Sequence, residues 1–170
     1  MATYVALLRA VNVGGTGKLP MSTLVKMCEA SGFERVRTYI ASGNAVFASG
    51  LKERQVKALL QKHLAAYAGK PVGVLVRNAT EMEAVLAANP FRAEPPNRTV
   101  AIFLDAAAPP GALEEVRGRR SERLALGTRE IYVAHSDGMA DSKLVIPTAA
   151  AGTARNMNTV AKLTVMAAAT

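Results

Sequence analysis

The chain has 170 residues, half of them hydrophobic, and its 21 lysines and arginines against 13 aspartates and glutamates give a net charge of +8. This length suits one domain or two small ones, and the apolar content is sufficient for a core. A single cysteine, Cys28, excludes an internal disulfide, and with only two histidines the sequence has no metal-ligand cluster at usable spacing. We therefore predict neither a metal nor a cofactor.

The basic charge favours an anionic partner. Aromatic residues make up only 5% of the chain and tryptophan is absent, so few rings are available on which unpaired bases could stack. No apolar run reaches the length of about 18 residues that a transmembrane helix needs, and the N-terminal segment lacks the features of a signal peptide. The sequence thus predicts a cytoplasmic protein with no membrane association.

The first predicted strand, residues 4–8, runs directly into a segment rich in glycine and polar side chains. Junctions between a strand and a helix collect anionic ligands, because helix N–H groups are unpaired there and glycine permits close approach. A Walker phosphate loop would need glycine in place of Asn12, and a dinucleotide fingerprint would need glycine in place of Pro20. The alternative is a flexible connection in which Arg9 and Lys18 are merely solvated.

The first half of the chain alternates between helical and strand patterns. Apolar residues from position 21 follow helical spacing, which places Cys28 on the buried face of a helix that ends at Gly32. The resulting order, β-α-β-β-α-β, is that of the ferredoxin-like or split βαβ unit. The remaining predicted elements here are strands at 36–40 and 45–47 joined as a hairpin, a helix at 52–67 and a strand at 72–77.

The second half restarts with a helix at 80–88, where Thr80 and Glu83 match a capping box. Proline-rich residues 94–97 are typical of a loop between subdomains. We predict an α+β fold of two tandem ferredoxin-like subdomains, residues 1–78 and 79–170, with the final helix packed back toward the N-terminal loop. The predicted elements are a strand at 99–104, a helix at 112–120, a strand at 131–134 with a short partner at 124–126, and a final helix opened by residues 153–159.

Five short segments, in order along nearly the whole chain, together resemble a known family. They are LRAVNVGG at 8–15 with Lys18 and Pro20, RTYIASGN at 37–44, NPF at 89–91, SKL at 142–144, and RNMNTV at 155–160 with KL at 162–163. The sequence resembles the domain of unknown function 1697 family, a set of uncharacterised and mostly bacterial proteins. The resemblance implies two tandem ferredoxin-like subdomains and no established activity. Similar members usually carry tryptophan at position 157, so this chain, with Met157, lacks a ring that could stack on a ligand.

Polar and basic residues at the ends of four segments are predicted to meet in one basic depression. The N-terminus of the final helix and Arg155 are expected to point toward the glycine-rich segment that follows the first strand, the glycine loop. The predicted ligand-binding residues are Arg9, Asn12, Gly14, Gly15, Lys18, Ser42, Gly43, Asn44, Lys143, Arg155, Asn156 and Asn158.

Two functions are compatible with such a depression. The first is binding of a phosphate-bearing or other anionic ligand, with nucleic acid as one candidate, in which Tyr39 and Phe47 either stack on bases or pack in the core. The alternative is an enzyme acting on a small anionic metabolite in the same cleft. No convincing acid, base or nucleophile is evident for it, and Ser142 with Lys143 makes a poor dyad because neighbouring strand residues point to opposite faces.

Overall fold

A computed structural model describes residues 1–12 and 17–170. The chain forms two compact units, one of Met1–Glu83 with Lys162–Thr170 and the other of Ala84–Ala161. Each unit contains one four-stranded antiparallel sheet. The fold is thus a mixed α/β arrangement, and none of the helices in the described ranges has the length and apolar content needed to cross a bilayer.

The first unit contains the predicted β-α-β-β-α-β order of elements. Its sheet has the strand order β2-β3-β1-β4, so β1 is central and pairs with both β3 and β4. Each helix therefore connects two strands that are separated by a third. The elements are β1 (Ala2–Leu8), α1 (Met21–Ala30), β2 (Glu34–Thr38), β3 (Asn44–Ser49), α2 (Glu53–Ala68) and β4 (Val74–Asn78).

One face of this sheet packs against both helices. Alternate residues of β1, among them Ala6 and Leu8, share a buried cluster with Leu24 of α1 and Leu60 of α2, as the strand period of two and the helix period of 3.6 require. Full burial of such aliphatic side chains contributes about 1.5–3 kcal/mol each.

The predicted core position of Cys28 is confirmed, and Phe47 takes the core alternative of the two that its position left open. Cys28 is fully buried in the same cluster, and burial raises the pKa of its thiol to about 12, so the sulfur is held in its unreactive protonated form. Phe47 is also fully buried, and its ring stacks on Phe33 with the centroids 4.3 Å apart. This packing excludes Phe47 as a stacking surface for bases.

The second unit contains a sheet with the strand order β6-β7-β5-β8, in which β5 takes the central place that β1 has in the first unit. The chain links β5 to β6, and β7 to β8, through short 3-10 turns rather than α-helices. The short partner strand predicted at 124–126 is confirmed as β6. The strands are β5 (Thr99–Phe103), β6 (Arg123–Leu126), β7 (Glu130–Ala134) and β8 (Thr153–Asn156).

Two sequence predictions in this half are wrong. The helix expected at 112–120 is a 3-10 turn, Ala112–Glu115, after which Val116 is extended and Arg117 forms a β-bridge with Val145. Gly118 then adopts a positive φ of 71°, which a continuing helix does not permit. Residues 153–156 do not open the final helix, because they pair with β5 as strand β8.

Two further helices are α3 (Ala79–Ala87) and α4 (Met157–Ala168). The capping box of α3 is formed by Asn78 and Glu81 rather than by Thr80 and Glu83. The Asn78 Oδ1 atom accepts from the Glu81 N–H at 2.8 Å, and the Glu81 carboxylate accepts from the Asn78 N–H at 2.9 Å. The helix begins earlier than predicted because Asn78, the last residue of β4, can already cap it.

Candidate functional site

A pocket of about 450 Å³ lies in the first unit, where the end of β1 meets the end of α2. None of its described lining residues is acidic, and three are basic. Its apolar lining comes from α2, from the segment after β1 and from the segment before β4. The described lining residues are Arg9, Ala10, Val11, Gly17, Lys18, Leu19, Leu64, Tyr67, Ala68, Lys70, Pro71, Val72 and Gly73.

The side-chain amide of Asn12 forms the hydrogen bonds that hold the segment after β1 in place. Its Oδ1 atom accepts from the Leu19 N–H at 2.6 Å, and its Nδ2 group donates to the carbonyls of Leu19 and Ala41, both at 2.8 Å. Ala10 and Asn12 each have a φ of 55°, a conformation that asparagine tolerates and that costs alanine about 1–2 kcal/mol. The Asn12 amide thus holds both sides of the loop at a fixed separation.

The three cations reach the pocket from different segments. Arg9, Lys18 and Lys70 are all exposed at its surface. The Arg9 side chain lies over Gly73, where an added Cβ would stand 3.1 Å from the Arg9 Cβ. Arg9 also donates its backbone N–H to the Gly73 carbonyl at 2.9 Å. These contacts place the aliphatic part of the Arg9 side chain beside Gly73 in the pocket lining.

Tyr67 forms an aromatic wall of the pocket. It lies in the last turn of α2, its hydroxyl donates to the Lys18 carbonyl at 3.2 Å, and the residue remains 50% exposed. The α2 helix ends just beyond it at Gly69, whose φ of 71° lets the chain turn toward Lys70. The ring is therefore fixed at its tip while a broad surface stays open.

The predicted site residues of the first unit take two different roles. Arg9 and Lys18 line the pocket, whereas Asn12 ties the loop together. Of the other described members, Ser42 and Gly43 lie in the turn between β2 and β3, and Asn44 is the first residue of β3. Asn44 is fully buried, and its Nδ2 group donates to the Tyr39 carbonyl at 2.8 Å and to the Ser42 Oγ atom at 3.0 Å. The predictions for Gly14 and Gly15 lie outside the described residues.

Lys70 and Tyr67 were missed by the sequence analysis. Lys70 stands between Gly69 and Pro71, a pattern that indicates only the end of a helix. Tyr67 follows Leu60 and Leu64 at helical spacing in the helix predicted at 52–67, a pattern typical of a buried face rather than of a pocket wall. The remaining exposure of Tyr67 depends on the position of the 17–19 segment, which no local pattern encodes.

In the second unit, Arg155 is buried at 7% exposure and has structural hydrogen bonds. Its Nη1 group donates to the Thr153 Oγ1 atom at 2.9 Å and to the Ala154 carbonyl at 3.0 Å. Burial lowers the pKa of Arg155 to about 10, which leaves the guanidinium charged at neutral pH. Asn156 caps α4 by accepting from the Thr159 N–H at 3.0 Å. The other two predicted residues of this unit, Lys143 and Asn158, are exposed.

The same two-residue motif ends the fourth strand of both units. Arg77 and Asn78 close β4, and Arg155 and Asn156 close β8. In each pair the arginine is buried and donates to the carbonyl of the residue before it, while the asparagine caps the helix that follows. The repeated Arg-Asn pair is a feature of the sequence that could have indicated a structural role for Arg155 and Asn156.

Ser142 belongs to a separate polar cluster in the second unit. Its hydroxyl donates to the Glu122 Oε2 atom at 2.8 Å, and the Arg120 N–H donates to Oε1 at 2.6 Å. These hydrogen bonds, the backbone one most strongly, hold the pKa of Glu122 at about 2. Burial lowers the pKa of nearby His135, whose Nδ1 atom is buried with no hydrogen-bond partner among the described residues. Ser142 is therefore bonded to a carboxylate and is not paired with Lys143 as a nucleophile.

The low pKa of Glu122 predicts acid-sensitive stability. The pKa of Glu122 in the folded protein, about 2, lies below the ordinary value of 4.5. The contribution of this carboxylate to the free energy of unfolding is therefore complete above pH 4.5 and is lost as the pH falls toward 2. Urea unfolding at pH 7 should show Glu122→Gln less stable than the unaltered protein by about 1.5–3 kcal/mol. At pH 2.5 the difference should be clearly smaller, and an equal difference at both values would contradict this account.

The comparisons with known proteins identify a family and a fold. A family model described as "Protein of unknown function (DUF1697)" matches residues 1–132. Among solved structures, the conserved bacterial protein SP0830 from Streptococcus pneumoniae is similar to this chain with a TM-score of 0.81 and 23% identity, over 98% of each chain. At that identity the likeness shows the fold alone. No curated protein matches the chain significantly.

Proposed function

Since the chain belongs to the DUF1697 family, whose members are proteins of unknown function, we propose its function from the pocket of the first unit: it binds a small phosphate-bearing or other anionic ligand. The observation that carries the proposal is the convergence of Arg9, Lys18 and Lys70 on one pocket whose described lining has no acidic residue. Lysine and arginine side chains that converge on one pocket attract an anion and can donate charge-assisted hydrogen bonds to it.

The size of the pocket favours a small molecule over a polymer. Its volume of about 450 Å³ lies within the range of about 300–1,000 Å³ that is usual for small-molecule sites. Charge-assisted hydrogen bonds from exposed cations contribute about 1.5–3 kcal/mol each before the cost of association. We therefore expect micromolar to millimolar affinity. Nucleic acid is the polymeric candidate suggested by the net charge of +8. Its binding would not depend on this pocket alone.

An enzymatic role has less support. The described lining includes no carboxylate, imidazole, thiol or aliphatic hydroxyl, and those groups supply most general acids, general bases and nucleophiles. Tyr67 contributes a phenol, and its hydroxyl is bonded to the Lys18 carbonyl. The pocket is accordingly proposed as a binding site.

We further propose that both units have the ferredoxin-like arrangement. The first unit supports it with the β-α-β-β-α-β order and the strand order β2-β3-β1-β4. The second unit has the corresponding strand order, β6-β7-β5-β8, with 3-10 turns in place of helices. The cytoplasmic location and the expected position of Arg155 next to the glycine loop stay predictions.

The binding proposal predicts that pocket cations control affinity for a simple anion. Titration calorimetry with pyrophosphate and with ribose 5-phosphate, at low and constant ionic strength, should detect binding to the unaltered protein. Arg9→Gln and Lys18→Gln should each weaken it at least about tenfold, because each replaces a charged donor, which contributes about 1.5–3 kcal/mol, with a neutral side chain.

Lys26→Gln is the matched control for these variants. Lys26 is exposed on α1, outside the pocket lining, so its replacement changes the net charge equally without removing a pocket contact. Its affinity should stay within about twofold of the unaltered protein, since a lone surface charge acts mainly through a screened field. Equal weakening by Lys26→Gln, or no binding of either anion, would refute the pocket as the site.

A further inference from the structure

The Tyr67 side chain is exposed and is also held in place by a hydrogen bond, and the binding of a bare anion requires neither property. Tyr67 lines the pocket, half of the residue is exposed, and its hydroxyl donates to the Lys18 carbonyl at 3.2 Å. An exposed aromatic ring whose tip is anchored has little rotamer freedom to lose when a ligand packs on it. The ring is therefore a preformed surface for an apolar or planar group.

The lining beside the ring is apolar, while the charges come from segments that precede and follow α2 in the chain. Leu64, Pro71 and Val72 line the pocket beside Tyr67, and Arg9, Lys18 and Lys70 supply its charges. A ligand that satisfies both kinds of surface must carry an anionic group and a separate flat or apolar body. A phosphate or a sugar phosphate alone would leave the aromatic and aliphatic surface in contact with water.

We propose that the ligand is a phosphomonoester that carries a planar ring, an inference that rests on the proposed anion-binding function. A nucleoside monophosphate represents this ligand class in the test. The phosphate contacts the pocket cations, and the ring stacks on the open surface of Tyr67. A mononucleotide fits a pocket of about 450 Å³. Stacking of a base on an aromatic side chain contributes about 1–3 kcal/mol, or roughly five- to 150-fold in affinity.

The test compares AMP, ribose 5-phosphate and adenosine by titration calorimetry on the full chain. AMP should bind at least about fivefold more tightly than ribose 5-phosphate, and adenosine should bind more weakly than AMP. In Tyr67→Leu the ratio of AMP to ribose 5-phosphate affinity should fall toward one. Tyr67→Phe, which keeps the ring and loses only the hydroxyl bond to Lys18, should retain the preference for AMP. Thermal melting of both variants checks that they are folded.

The outcomes separate this inference from the function on which it rests. Equal affinity for AMP and ribose 5-phosphate, or an AMP preference that survives in Tyr67→Leu, would overturn the planar-ring ligand and leave anion binding intact. Adenosine binding as tightly as AMP would overturn the phosphate contacts. Failure of every phosphate compound to bind would refute the anion-binding pocket itself.

Discussion

Gly43→Ala is expected to lower the free energy of unfolding by about 2–4 kcal/mol. Gly43 has a φ of 93°, and an added Cβ would stand 2.7 Å from Val11 Cγ2 and 2.9 Å from Leu8 Cβ. Its carbonyl also accepts from the Leu8 N–H at 2.8 Å, so the turn cannot move away without breaking a bond to β1. The predicted cost combines a conformation unfavourable to alanine with a clash against two side chains.

Gly32→Ala separates these two contributions. Gly32 has a similar φ of 85°, and an added Cβ there would meet nothing within 4 Å. Its replacement should cost only about 1–2 kcal/mol, the conformational part alone. Urea unfolding of both variants gives the comparison. Equal losses of stability would show that the contact of Gly43 with Leu8 and Val11 is unimportant.

Arg155→Ala is expected to destabilise the protein by about 2–4 kcal/mol. An exposed side chain that only contacts a ligand could be removed with little change in stability, so this variant distinguishes a structural role of Arg155 from a purely ligand-binding one. The side chain is 93% buried and bonded to Thr153 and Ala154. Its loss leaves a cavity and removes hydrogen-bond donors from the buried Thr153 hydroxyl and the partly buried Ala154 carbonyl, and both effects are costly.

Two further variants define the origin of the Arg155 effect. Arg155→Met keeps much of the packed volume without the guanidinium donors, so it isolates the contribution of the hydrogen bonds. Asn158→Ala, in the first turn of α4, the helix that follows β8, and exposed, should change stability by less than about 0.5 kcal/mol. Unaltered unfolding of Arg155→Ala together with weaker anion binding would contradict the structural role and support the predicted ligand contact.

Polar residues of one short segment take different roles in this structure. Arg9 and Asn12 stand three positions apart in a segment that predicts anion binding, yet only Arg9 lines the pocket. Asn12 instead binds Leu19 and Ala41, the second of which is 29 residues away. An asparagine amide bonds equally well to a ligand or to a backbone, so only the position of the partner decides which it does.

Local periodicity by itself determined most of the secondary structure. The stripe in residues 21–30 and the alternation in β1 each bury one face of an element, so the sequence of the first unit already specified β-α-β-β-α-β and the burial of Cys28. Charge composition likewise predicted an anionic partner. The recurring Arg-Asn pair was available in the sequence as well, and it marks the strand ends of both units.

Only the tertiary structure decided which polar residues share a site. Lys70 joins Arg9 and Lys18 because α2 ends beside the segment after β1, although the sequence separates them by about fifty residues or more. Residues 153–156 became a strand because β5 offered a pairing edge, which overrode their suitability for a helix start. Pairing and pocket formation depend on contacts between distant segments, and local sequence patterns do not encode the separation or direction of those segments.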